Sequence, residues 1–177
     1  MIVQEPGGLN YTNDLPKSEL VNRPARKKEM WGRTMAQIFS AVSPEIHSEF
    51  AIKYELEFLK DFGLTYYGCC EPMHQKIGIL KQIPNLRKIS MCPWADHAEG
   101  AEAIGMNYAY SLKPNPAILA EDTWYPKRAR AELRDALEKT KNCPVEIVMK
   151  DVSTVRKEPQ RLWEWARIAV EEADRVA

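Results

Sequence analysis

Cys69 and Glu71 in Tyr66-Tyr67-Gly68-Cys69-Cys70-Glu71, and Ser90, Cys92 and Trp94 in Ser90-Met91-Cys92-Pro93-Trp94, each follow a short apolar run. So do Lys113 and Asn115 in Ser111-Leu112-Lys113-Pro114-Asn115, and Lys150-Asp151 after Val145-Glu146-Ile147-Val148-Met149. Thiolate sulfur and carboxylate oxygen both bind zinc, so Cys69, Glu71 and Cys92 read as candidate metal ligands, with Asp151 or His74 to complete the set. The competing reading is that free cysteines pack as small hydrophobes. Lys113, Asn115 and Lys150 offer donors to an anionic or carbonyl-bearing ligand, although a Glu146–Lys150 pair inside the sheet competes for Lys150. Cys69, Glu71, Lys150 and Asp151 are therefore the candidate catalytic groups. Tyr67, Ser90, Trp94, Lys113 and Asn115 are the candidate substrate contacts.

Strands must deliver these groups. The four runs, beginning at Leu64, Leu86, Asn107 and Val145, alternate with segments of helical type, an order that implies a parallel sheet. Reactive groups in such sheets gather past the carboxyl ends of the strands. Strict alternation puts Tyr67, Cys69 and Glu71 on one side with Cys70 on the other, and groups Ser90, Cys92 and Trp94. Ser43-Pro44-Glu45 starts a helix running to about Asp61, with Ile46, Phe50, Tyr54 and Phe58 as its apolar stripe and Leu56 and Leu59 alongside. Further helices are expected over His74 to Ile83, Asp96 to Ile104, Asp122 to Lys141 and Glu158 to Val176. Glu171, Glu172 and Asp174 of the last are expected in solvent, as are His47 and His97. Residues 1–30, dense in turn formers, read as an arm, and 31–177 as one domain.

Four strand-helix units preceded by this arm and helix make an α/β chain equal to half of a (β/α)8 TIM barrel. A four-stranded open parallel sheet with helices on both faces also fits the spacing. A half-barrel leaves two strand edges open. A homodimer that closes a barrel from two copies is expected to cover them, with a complementary N-terminal half-barrel chain or the chain's own arm as the alternatives.

The 177 residues carry 25 basic and 25 acidic side chains, so no long-range field draws nucleic acid or an anionic membrane. No apolar run approaches the ~20 residues that span a bilayer, and the N-terminus lacks a signal pattern, so a cytoplasmic protein is expected. Four cysteines, two of them adjacent, make no disulfide framework.

Tyr66-Tyr67-Gly68-Cys69-Cys70-Glu71-Pro72, Ile83-Pro84-Asn85-Leu86-Arg87, Ser90-Met91-Cys92-Pro93-Trp94-Ala95-Asp96, Ser111-Leu112-Lys113-Pro114-Asn115-Pro116 and Met149-Lys150-Asp151 together resemble the uroporphyrinogen decarboxylase superfamily. The likeness is greatest to its bacterial branch related to cobalamin-dependent methyltransferases, and maps onto the C-terminal half of the family barrel. The resemblance implies zinc, a corrinoid supplied by a partner protein, and methyl transfer. It also implies that the decarboxylase residues borne by the N-terminal half are missing. Tyr67-Gly68-Cys69 stands where the methyltransferases carry His-x-Cys, and Asp151 lies near the position of their late cysteine. Alternatives are a non-catalytic binding or assembly subunit and, third, a decarboxylase.

Overall fold

The computed structural model describes residue 15 and residues 23–176. Most of the expected arm, residues 1–30, lies outside the described residues. Five parallel strands form one sheet: β1 (Trp31–Thr34), β2 (Leu64–Tyr67), β3 (Leu86–Met91), β4 (Ala109–Leu112) and β5 (Val145–Ile147), in the order β1-β2-β3-β4-β5. Between them run α1 (Pro44–His47), α2 (Lys53–Leu59), α3 (Ile77–Leu80), α4 (His97–Ile104), α5 (Ala117–Ala120) and α6 (Pro126–Thr140). α7 (Gln160–Val176) follows β5.

Strand order follows sequence order without reversal. Parallel crossovers follow a right-handed rule, so a strand order that steps the same way each time stacks the helices on one face of the sheet. This α/β architecture is consistent with a half-barrel, and it lacks the switch point at which a doubly wound sheet reverses. The expected count of four units is corrected to five. β1 was missed because Trp-Gly-Arg-Thr is short and carries Gly32 and Arg33 in place of an apolar run. Its glycine is needed, since a Cβ there would lie 2.6 Å from the Phe62 ring.

On the helix face, Tyr67, Ile89, Met91, Tyr110 and Leu112 pack with Ile52, Leu59, Ile77, Leu80 and Ile104 into the main core. The other face is unusually polar. Trp31 and Tyr66, with Leu15, Leu64 and Val148 against them, share it with Lys88, Ser90, Ser111 and Glu146, one residue out of phase with the core positions. Lys88 donates to Glu146 at 2.6 Å, and Ser111 to the same carboxylate at 2.5 Å.

Helix starts follow their caps. Ser43 accepts the Ile46 N–H before Pro44, and Asp96 accepts those of Ala98 and Glu99. Three expectations about facing are corrected. A π turn (Ser48–Ile52) joins α1 to α2, and the segment buries His47, Ala51, Ile52 and Leu59. Ile46, Phe50, Tyr54 and Phe58 face outward instead, Tyr54 at 66% exposure. The segment carries two apolar stripes, and spacing alone cannot say which one meets the sheet. Glu172 is buried, because Arg130, Arg134 and Arg175 all donate to it. His47 is buried, its Nε2 2.7 Å from the Tyr67 hydroxyl, while His97 Nδ1 meets the Tyr110 hydroxyl at 2.7 Å. The helix expected from Asp122 is corrected to begin at Pro126, since Asp122 does not cap it and pairs with Arg156.

Candidate functional site

β2 ends at Tyr67, and Gly68 then takes φ +93°, a left-handed conformation that glycine adopts without Cβ strain. A Cβ would also come within 3.2 Å of Ser90. The turn breaks the alternation expected through Glu71 and brings both cysteines to one place, with Cys69 Sγ and Cys70 Sγ 3.6 Å apart. The expected opposition of Cys69 and Cys70 is thereby corrected. Ser90 Oγ, buried at the end of β3, donates to the Cys69 carbonyl at 2.7 Å and fixes the turn.

Lys150 reaches this turn from just past β5. Its ammonium lies 2.9 Å from Cys69 Sγ, 2.7 Å from Cys70 Sγ and 2.8 Å from Asp151 Oδ2. Burial works against its charge, yet Asp151 and the two sulfurs outweigh burial and leave its pKa above the usual lysine range. Lys150 in turn holds the Asp151 carboxyl below its ordinary value. Burial pushes the Cys70 thiol up to about 11, with Lys150 opposing, and Cys70 hydrogen bonds to Asp151 at 3.3 Å. The expected competitor, a Glu146–Lys150 pair, does not form, because Glu146 is engaged by Lys88 and Ser111.

Lys113, just past β4, is buried and donates to the Ser111 hydroxyl and carbonyl, with its ammonium 5.5 Å from the centre of the Tyr66 ring. Burial pushes its amine down to about 7. Glu146 opposes that shift, while Lys150 and Arg33 add to it. A cavity of about 320 Å³ opens here, lined by Cys69, Cys70, Cys92, Trp94, Lys113 and Lys150 among others. A second hollow of about 470 Å³ shares Trp94, Lys113 and Asn115 but extends over α4 and α6, away from the thiols. The first holds the chemistry.

The remaining expected residues divide. Asn115 accepts the Ala117 N–H at 3.0 Å in the turn before α5, and Trp94 stands largely exposed at the cavity mouth. Tyr67 lies behind the sheet against His47, in the main core and off the cavity, because β2 turns its side chain toward the helices. As a substrate contact it is therefore corrected. Glu71 is buried and accepts the Cys69 backbone N–H at 2.6 Å, which makes it a brace for the turn, while its Oε1 is left without a partner. Cys92 is fully buried.

Cys69, Glu71 and Cys92 do not assemble as zinc ligands. Among the described residues no three His, Cys, Asp or Glu side chains form a metal-holding group. The point between Cys69, Cys70 and Asp151 that a soft cation could take is filled by the Lys150 ammonium. Sequence reasoning missed Arg33, whose guanidinium stacks 5.1 Å from the Tyr66 ring centre and reaches the Gly68 carbonyl. It also missed Cys70 as a partner of Cys69. Gly68 immediately before the two cysteines was the one signal available, since a glycine at a strand end marks a turn.

No helix among the described residues is long and apolar enough to cross a membrane. Compared with known proteins, the chain matches no protein-family model, no curated protein and no solved structure.

Proposed function

We propose that this chain is a uroporphyrinogen-decarboxylase-like barrel segment whose rim cavity binds an anionic small molecule, in the branch linked to corrinoid-dependent methyl transfer. The observation that carries the reading is the convergence of Cys69, Cys70, Lys113 and Lys150 on one cavity at the carboxyl ends of a strictly sequential parallel sheet. Lys150 presents two sulfurs beside a fixed positive charge. Lys113, close to half-protonated at neutral pH, gains its proton when an anion arrives. Trp94 gives a planar ligand a wall.

Closing an eight-stranded barrel takes strands beyond these five. Among the described residues β1 pairs only with β2 and β5 only with β4, so both outer edges are free to pair. Beside β5 an apolar groove of about 560 Å³ runs between α6 and α7, lined by Val145, Ile147, Trp165, Ala169 and Val170 among others. Eight strands need three beyond these five, whereas two copies would bring ten. The count favours a complementary half-barrel over a homo-oligomer. Methyl transfer further calls for a corrinoid, which a partner protein would supply.

A second reading is a binding or assembly subunit without catalysis. It is favoured by the zinc ligands' failure to converge and by Glu71 serving the backbone. Decarboxylation ranks third. Calorimetric titration with methylcobalamin, beside a porphyrin carboxylate, tests the leading reading. Binding weakened about tenfold by Lys113→Met and Lys150→Met supports it, given that a charge-assisted contact is worth about 1.5–3 kcal/mol. Preference for the porphyrin points to the decarboxylase, and no binding of either ligand points to the assembly subunit.

A further inference from the structure

We propose that Cys69 and Cys70 are a redox modification site, at which hydrogen peroxide closes a disulfide between the adjacent cysteines. The inference stands on the geometry of the thiol pair and holds whether or not the rim performs methyl transfer. Three observations carry it. The sulfurs already lie 3.6 Å apart on a turn outside the strand, so a small adjustment of that turn with side-chain rotation brings them to bonding distance. Both are half-buried and line the 320 Å³ cavity, through which a small oxidant can enter. Lys150 donates to both sulfurs, and a neighbouring ammonium favours the thiolate, the reactive form.

The chemistry divides between the two residues. Cys69 Sγ, beside the Lys150 ammonium, gives up its proton as it attacks one oxygen of hydrogen peroxide. The O–O bond breaks, and the leaving hydroxide takes up the Cys69 proton, giving a sulfenic acid and water. Cys70 then attacks the Cys69 sulfur and expels the hydroxyl. Asp151, 3.3 Å from Cys70 Sγ, receives the Cys70 proton and passes it to that hydroxyl, which leaves as a second water. Two thiols are oxidised to one disulfide while one peroxide is reduced to two waters. Burial keeps Cys70 protonated until this step, which suits a resolving thiol and leaves Cys69 as the attacker.

Closing the ring removes two sulfur partners from Lys150 and leaves its ammonium with Asp151 at the cavity wall. The modified rim loses its nucleophilic sulfur and keeps its charge. The bond is also readily reversed. Adjacent α carbons lie about 3.8 Å apart, short of the usual 4.4–6.8 Å range for disulfides, and a strained bond is more reducible. Cys92 and Cys143 do not compete, since Cys92 is fully buried and Cys143 donates to the Ala101 carbonyl across the fold.

The test is intact-mass counting of iodoacetamide adducts on the full chain, reduced and then exposed to hydrogen peroxide before denaturation. The reduced chain, with its four cysteines, carries four adducts. The oxidised chain is expected to carry two, with the unlabelled Cys69–Cys70 peptide lighter by two hydrogens and four adducts regained after dithiothreitol. Cys69→Ser and Cys70→Ser each abolish the paired loss. The Cys92→Ser, Cys143→Ser double variant retains it. Lys150→Met slows closure several-fold and Lys150→Arg restores it, because the ammonium held against both sulfurs favours the reactive form of the thiol. Phenylarsine oxide, which bridges two neighbouring thiols, binds the reduced chain and not the oxidised one. Four adducts surviving peroxide, a bond mapped to Cys92 or Cys143, or an undiminished paired loss in Cys69→Ser would each overturn the proposal.

Discussion

Lys88 on β3 and Glu146 on β5 meet at 2.6 Å across the intervening strand β4, where Ser111 donates to the same carboxylate. Lys88 is 5% exposed and its ammonium also lies 5.3 Å from the centre of the Trp31 ring. This pair ties three strands together on the polar face. It also occupies Glu146, which leaves Lys150 to the thiols.

Removing one partner strands the other charge in a buried setting, which costs about 3–5 kcal/mol when burial is complete. Glu146→Gln is expected to cost about 2–4 kcal/mol in urea unfolding, somewhat less because Glu146 is only partly buried. The double variant Lys88→Met, Glu146→Leu should recover most of that loss. A double variant as unstable as the sum of the singles would show that the pair is not coupled.

Lys113 is held with its amine depressed to about 7 by burial, against 10.5 in the unfolded chain. The unfolded state therefore binds the extra proton between those values, and this residue makes stability rise with pH across that window. Lys113→Met is expected to be more stable than the parent by about 1–4 kcal/mol near neutral pH, since replacing a buried ion by an apolar chain often stabilises. The gain should shrink toward pH 10. A constant difference across pH would contradict the depressed amine.

His47 behaves similarly in acid. Burial pulls it down to about 4, with Lys76 adding to the shift, so the unfolded chain binds more protons between about 4 and 6.5 and stability falls as pH drops through that window. His47→Gln should flatten this stretch of the pH profile by about 1–3 kcal/mol. An unchanged acid limb would remove His47 as its cause.

The outward stripe of the 44–59 segment gives a contrast between two faces. Phe50→Ser and Tyr54→Ser should each alter monomer stability by no more than about 0.5 kcal/mol, as exposed positions do. Ile52→Ala should cost about 2–4 kcal/mol through the cavity it leaves in the core. Equal losses at both faces would mean that the stripe is covered in solution.

Much of this was legible in the chain. The apolar runs starting at Leu64, Leu86 and Val145 lie on strands, and Pro44 and Asp96 open helices as their local chemistry dictates. The short Trp31–Thr34 strand was not, because its place depends on pairing with β2 and on Phe62 closing over Gly32. Lys113, Asn115, Lys150, Cys69 and Trp94 all reach one rim cavity, which the strand-end argument anticipated. Facing was the weak step. A single left-handed residue, Gly68, reverses the side on which Cys70 lies, and no period-2 argument survives such a turn. Glu172 looks solvated in sequence because its three arginine partners come from two helices, two of them from α6.

The most direct test of the rim as a ligand site is the alkylation rate of Cys69 and Cys70, followed by peptide mass spectrometry with and without methylcobalamin. Occupancy of the cavity predicts that the corrinoid slows alkylation of both rim thiols several-fold, by roughly the bound fraction, while Cys143 reacts at its unchanged rate. Equal rates for Cys69 and Cys70 at saturating corrinoid would contradict the rim as the place where the corrinoid is met.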